Sequence, residues 1–236
     1  MNVINSKSIS VLIPLYNKEQ LIQDTIKQVS TLLENCDYEI LVIENGSTDN
    51  SKAKLLEIIS ENKNINIEML ESNKGLGNAL KKGIRNARKD FVIAVPADFT
   101  TGTAEINYFL ENEKFSYVIG SRSISNINSP GILRKLLSFT LRVLNKLLLN
   151  IKVKDTQFSF IIETKIAKDL EKSCQSSGFY ITAELIYFAL KNKIEIIEIP
   201  VQIKENKKNQ TTINFLSDSF DVFFDIIKIY FKNGRL

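Results

Sequence analysis

Two hydrophobic rhythms alternate over the first half of the chain. Short, nearly unbroken apolar runs stand at residues 9–14, 38–43, 65–70, 90–95 and 117–120, as in strands covered on both faces. Between them the apolar residues switch to helical spacing. Leu21, Ile22, Ile26, Val29, Leu32 and Leu33 mark a helix within 19–33. Ser47-Thr48-Asp49 offers a cap for a second helix running to about Ser60, and Gly75 opens a third running to about Arg88. Strands separated by such helices predict βαβ units and a parallel sheet. Ligands of such sheets lie beyond the carboxyl ends of the strands. The loops to read are therefore 16–19, 44–49, 73–77 and 96–101.

The second half is patterned differently. Residues 130–150 form a long, Leu-rich amphipathic stretch. A short strand is predicted over 155–162, with helices over 163–173 and 182–192. Pro200 breaks a further strand over 194–203 and so consigns it to a sheet edge. Residues 205–210 read as a polar, Lys-rich loop and 215–231 as an apolar helix. No run is apolar enough for a membrane span of about 20 residues. Residues 1–10 lack the apolar core of a secretion signal. Neither a repeat nor a linker divides the chain, so one domain over 1–236 is expected.

Composition narrows the chemistry. The 236 residues include no His, which excludes Ser-His-Asp and Cys-His catalysis and His-ligated zinc. Cys36 and Cys174 are too few for a four-thiolate metal site and do not form a disulfide framework, which fits a reducing compartment. With 31 Lys plus Arg against 27 Asp plus Glu, the net charge of +4 gives no argument for nucleic acid. Gly75-Leu76-Gly77 follows a strand and opens a helix, but Leu80 stands where a dinucleotide fingerprint needs Gly or Ala. The glycines then mean either a tight turn or a backbone that lets a nucleotide approach closely. Glu44 and Asp98, at two strand ends, suit ribose hydroxyls, a base edge or a divalent cation if one crevice holds them.

As a set these loops resemble the family 2 glycosyltransferases of GT-A fold. The residues that carry the likeness are Ile13-Pro14-Leu15-Tyr16-Asn17-Lys18-Glu19, Glu44-Asn45-Gly46-Ser47, Asn73-Lys74-Gly75-Leu76-Gly77 and Pro96-Ala97-Asp98. Ile119-Gly120-Ser121-Arg122, Arg134 with Ser138, Asp155-Thr156-Gln157, Ala183-Glu184-Leu185 and Glu198-Ile199-Pro200-Val201 narrow it to a likeness to the polyprenyl-phosphate (dolichyl-phosphate) mannosyl and glucosyl synthases. The resemblance implies an α/β, three-layer GT-A sandwich, its mostly parallel sheet covered by helices on both faces. It assigns about 9–120 to a nucleotide-sugar half, about 121–204 to an acceptor half, and about 205–236 to a C-terminal loop and amphipathic helix.

The activity it implies is inverting transfer of a hexose from UDP-glucose or GDP-mannose to polyprenyl phosphate. Pro14, Tyr16, Glu19, Glu44, Asn45, Gly75 and Ala97 would bind the donor nucleotide. Asp98 would hold Mg2+ or Mn2+ and, with Arg122, act in catalysis. Arg122, Arg134 and Ser138 would hold the acceptor phosphate, with Gln157 and Glu184 as further site residues. An acceptor already ionised needs no general base, so the absence of His is consistent. Arg134, Lys135, Arg142, Lys146, Lys152 and Lys154 suit an anionic membrane surface. The expected location is peripheral, on the cytoplasmic face, with a membrane-protein partner as an option and no nucleic acid. There are departures. Pro96 replaces the first Asp of the family's D-x-D, Glu44-Asn45 replaces Asp-Asp, Phe158-Ser159-Phe160 lacks the usual basic group, and Thr182 stands where an Asp is frequent. They leave two alternatives: a family 2 transferase with a glycan or other soluble acceptor, and a non-catalytic nucleotide-sugar or lipid-phosphate binding protein.

Overall fold

The computed structural model describes residues 7–121, 132–156, 159–201 and 215–236, with side chains omitted for 132–138 and 215–219. The expected alternation is present: β1 (Ser8–Leu15), α1 (Ile22–Leu32), β2 (Asp37–Glu44), α2 (Ser51–Glu61), β3 (Ile67–Glu71), α3 (Leu76–Asn86), β4 (Phe91–Ala94), α4 (Thr103–Glu111) and β5 (Tyr117–Ser121). Then follow α5 (Ile132–Leu149), β6 (Phe160–Glu163), α6 (Thr164–Glu171), α7 (Ile181–Lys191), β7 (Ile196–Pro200) and α8 (Phe215–Asn233). The hydrophobic pattern had not marked α4. It had also begun the strand of β6 five residues early. Residues 205–210, expected as a loop, lie outside the described residues.

Among the described residues one sheet carries seven strands in the order β3-β2-β1-β4-β6-β5-β7. β1 pairs in parallel with β2 and β4, so Leu12 faces Leu41 on one side and Ala94 on the other. β6 is the exception, running antiparallel between β4 and β5. Among the described residues β7 pairs only with β5 and forms an edge, in keeping with Pro200.

Side-chain alternation sorts every strand into two cores. Leu12, Leu41, Ile43, Val92, Tyr117, Phe160 and Ile162 pack beneath α3, α6, α7 and α8. Val11, Ile13, Ile40, Val42, Ile93, Val118 and Ile161 pack beneath α1, α2 and α4. This is why the runs are unbroken rather than alternating: both faces are dry. Val222, Ile226 and Ile229 of α8 are buried at helical spacing, while Phe220, Phe224 and Phe231 are 64%, 56% and 80% exposed on its other side. α8 packs along α5, which exposes Phe139 and Leu147. Among the described residues no helix is long and apolar enough to cross a membrane.

Candidate functional site

The carboxyl ends of β1, β2, β3 and β4 are neighbours in the sheet, so four loops distant in sequence meet along one edge. The first two are stitched together. Asn17, in a left-handed conformation (φ 51°), donates its backbone N–H to the Ser47 hydroxyl and its side-chain Nδ2–H to Thr48 Oγ1, and accepts the Thr48 amide at 2.7 Å. The Lys18 amide donates to Ser51 Oγ at 2.9 Å, and Glu19 accepts the Asn50 amide at 2.9 Å. Glu19, expected to touch the donor, thus also holds Asn50, the residue that precedes α2.

Glu44 is turned on its own loop. Its carboxylate accepts the amides of Gly46 at 3.1 Å and Ser47 at 2.6 Å. Burial opposes its ionisation, but the Ser47 amide and hydroxyl, the Gly46 amide and nearby Lys52 outweigh burial and hold the carboxyl below its ordinary range. Asn45 clamps the loop after β3 from both sides of one residue: Nδ2–H donates to the Gly75 carbonyl at 2.9 Å, and Oδ1 accepts the Gly75 amide at 2.7 Å.

The two glycines each have a close backbone neighbour. A Cβ on Gly75 would lie 2.3 Å from the Ser177 carbonyl oxygen, and one on Gly77 2.4 Å from that of Ser176. The close approach is to the chain's own turn between α6 and α7. The first amides of α3 are also used there, since Gly77 N–H donates to the Ser177 carbonyl at 2.9 Å. Lys74 remains outward, with Nζ 4.8 Å from the centre of the Tyr16 ring, a cation–π contact.

Across the edge, Thr25 Oγ1–H donates to the Ala97 carbonyl at 2.8 Å and seats the loop after β4. Asp98 Oδ1 accepts the Thr100 hydroxyl at 2.9 Å, and Lys18 Nζ stands 4.0 Å from Oδ2, both side chains being about one-eighth exposed (13% and 12%). Pro14, partly exposed, stands near the end of β1 between the buried Ile13 and Leu15. Pro14, Tyr16, Glu19, Glu44, Asn45, Gly75, Ala97 and Asp98 are therefore brought to one edge. Glu184 is remote from Asp98 in role: it is 2% exposed in α7, and its carboxylate accepts the amides of Gln175 and Ser176. Arg122 and Gln157 lie outside the described residues, and of Arg134 and Ser138 only their helix, α5, is described. Lys18, Lys74 and the turn 175–178 had not been singled out. Lys18 and Lys74 stood inside the quoted motifs, whereas nothing in the sequence marks the contact between residues 77 and 177.

A divalent cation is tested by the donor set. Asp98 offers one hard carboxylate, Pro96 offers none, and among the described residues no three His, Cys, Asp or Glu side chains converge. Such a set fits a hard cation that arrives with phosphate oxygens as its other ligands; it does not make a cage by itself.

Comparison with known proteins bears on the whole arrangement. The model of "Glycosyl transferase family 2" matches residues 10–169. A dolichyl-phosphate beta-glucosyltransferase of Dictyostelium discoideum is 28% identical across 98% of this chain and 76% of its own length. A protein of the same description from Trichomonas vaginalis is 27% identical across 94% and 72%. Glucosyl-3-phosphoglycerate synthase of Mycobacterium tuberculosis, solved with Mn2+, UDP and phosphoglyceric acid, superposes with a TM-score of 0.69 at 16% identity, over 94% of this chain and 78% of that one. That likeness is one of fold, and the fold is GT-A. By sequence and by fold, then, this chain belongs to glycosyl transferase family 2.

Proposed function

We propose that the protein transfers a hexose from a nucleotide sugar to a polyprenyl phosphate. The observation that carries the reading is the edge where four loops meet. Its motifs are those of a family whose dolichyl-phosphate glucosyltransferases match this chain over nearly its full length. UDP-glucose is the first donor to test. The nucleotide would lie across the ends of β1, β2 and β3, against Pro14, Tyr16 and Asn45, with Lys74 beside the Tyr16 ring. Glu19, Glu44 and Gly75 would shape that surface through the backbone contacts described above. Ala97 and Asp98 would face the sugar and diphosphate.

The reaction forms a bond from an acceptor phosphate oxygen to the anomeric carbon as the bond from that carbon to the donor diphosphate breaks. In-line displacement inverts the anomeric centre. The nucleophile is already an anion, so the protein supplies position and positive charge rather than a base. Arg122, Arg134 and Ser138 would hold the acceptor phosphate, the two guanidinium forks matching its oxygens. Lys18, 4.0 Å from Asp98, contributes a fixed positive charge beside the departing diphosphate. Asp98 would hold Mg2+ or Mn2+ together with the donor, and the ion would supply further positive charge for the leaving group. The lipid would be met at the membrane surface through α8 and α5, whose exposed Phe139, Phe220, Phe224 and Phe231 are accompanied by Lys and Arg side chains.

The decisive experiment supplies radiolabelled UDP-glucose and GDP-mannose in parallel, with polyprenyl phosphate and Mn2+, and counts label in the organic phase. Label there from one donor is expected; label only in aqueous glycan indicates a soluble acceptor instead. Pro96 favours a second reading, binding without turnover. That reading requires wild-type protein that binds nucleotide sugar yet transfers nothing, and a Pro96→Asp variant that gains transfer.

A further inference from the structure

The C-terminal helix carries an inward carboxylate between its buried Val222 and Ile226. Asp225 Oδ2 accepts the Ser176 hydroxyl at 2.6 Å, and Lys228 Nζ lies 3.6 Å from Oδ1. Ser176 is 3% exposed and sits in the turn between α6 and α7. The same turn is held from α7, where Glu184 Oε2 accepts the amides of Gln175 at 2.9 Å and Ser176 at 2.8 Å. Within the turn, Ser176 Oγ accepts the Gly178 amide at 3.2 Å.

So anchored, the turn presses on the loop after β3. Ser177 accepts the Gly77 amide at 2.9 Å, and the space beside Gly75 and Gly77 is filled by the Ser176 and Ser177 carbonyls to the exclusion of any Cβ. On its far side Asn45 grips Gly75 by two hydrogen bonds. The glycine loop is thus clamped between the β2 loop and the 175–178 turn, and the clamp fixes where Lys74 stands over Tyr16. One hydrogen bond in this chain comes from an element at the other end of the sequence, α8.

We propose that Asp225 and Ser176 are positioning residues for donor binding: α8 fixes the turn, the turn fixes the glycine loop, and the loop sets Lys74 and Asn45 against the nucleotide. The last step rests on the reading that the donor nucleotide lies across the ends of β1, β2 and β3. The helix whose outer face bears the exposed phenylalanines therefore also shapes the donor side of the site from its inner face.

The test uses the full chain and three variants. Asp225→Leu puts a helix-forming apolar side chain there and removes the acceptor; Ser176→Ala removes the hydroxyl from the other partner; Asp225→Asn keeps an oxygen acceptor. Native-state trypsin cleavage after Lys74, an exposed residue, reads the loop. Calorimetric binding of UDP and GDP, with Mn2+, reads the site. Asp225→Leu and Ser176→Ala should speed cleavage about tenfold and weaken nucleotide binding to a similar degree, the effect of one lost buried hydrogen bond. Asp225→Asn should behave nearly as wild type in both. Unchanged cleavage in Asp225→Leu and Ser176→Ala overturns the proposal, and so does faster cleavage with unchanged affinity. Wild-type protein that binds neither nucleotide overturns the donor reading itself, while the cleavage rates still decide whether α8 holds the loop.

Discussion

The amino and carboxyl ends of the parallel strands both gather acidic side chains, and they use them differently. At the amino ends carboxylates join segments far apart in sequence. Glu39 is fully buried and accepts the Ser10 hydroxyl and the Arg88 amide, each at 2.7 Å, with the Arg88 guanidinium 2.5 Å away. Asp90 accepts both the amide and the hydroxyl of Ser8. At the carboxyl ends the carboxylates hold loops rather than strands: Glu44 accepts the Ser47 amide and Asp49 the Ser51 amide a few residues along the chain, Glu19 accepts the Asn50 amide from the neighbouring loop, and Asp98 faces Lys18 and Thr100. The first arrangement ties the sheet together. The second makes a defined surface out of loops that have little regular structure.

If this division is right, substitutions at the two ends should separate activity from stability. Asp98→Ala should lower transfer by at least about a hundredfold, as for loss of a group that stabilises developing charge. Its melting temperature should stay within about 2 °C of wild type, measured by calorimetry. Undiminished transfer would remove Asp98 from the mechanism. Glu39→Ala should do the reverse. Leaving the Ser10 hydroxyl and the Arg88 amide without their acceptor should cost about 3 kcal/mol in urea unfolding, with transfer per folded molecule unchanged.

Gly77→Ala sharpens the contrast, since it loads the carboxyl edge without touching a charge. Its Cβ meets the Ser176 carbonyl at 2.4 Å, so the turn or α3 must shift. A loss of about 2 kcal/mol is expected, together with weaker nucleotide binding. A variant as stable as wild type would mean that the turn gives way freely.

The smallest effect concerns Glu184. Burial pushes its carboxyl up to about 7; the Ser176 and Gln175 amides oppose that, Asp225 adds to it, and Lys81 opposes it. A carboxyl raised in the folded state binds protons there that the unfolded chain has released. Its contribution is therefore complete below about pH 4.5 and is lost as pH rises towards 7. Within that window the slope should be at most about 1.4 kcal/mol per pH unit. Glu184→Gln should flatten it in unfolding curves recorded from pH 5 to 7.5. An equally steep curve in that variant would assign the slope to another group.

How much of this was legible in the residue order depends on the distance between cause and effect. β1, β2 and α3 could be read because their apolar spacing is set within ten or so residues. The edge position of β7 followed from Pro200, whose missing N–H is a local fact. α4 escaped because Thr103, Ala104 and Glu105 open it without a marked apolar stripe. The strand assigned over 155–162 began five residues before β6, at Asp155 and Thr156, which are polar and take no part in the ladder. Within the site, Tyr16, Asn45 and Asp98 could be named from motifs, but their tasks could not. The carboxylate of Glu44 is engaged by its own turn, and the glycines, read as either a tight turn or room for a nucleotide, lie against backbone carbonyls of the 175–178 turn.

What the sequence determined by itself is the alternation of strands and helices apart from α4, the two dry faces of the sheet, the loops that carry the chemistry and the family. These depend on local periodicity and on short motifs, which survive being read in one dimension. Only the tertiary structure decided which partner each polar group takes. Asn45 meets Gly75, Ser177 meets Gly77 and Asp225 meets Ser176 across thirty to a hundred residues. Buried hydrogen-bonding groups must each find a partner. Which one is nearest is settled by the packing of helices on the sheet, and no local pattern records it.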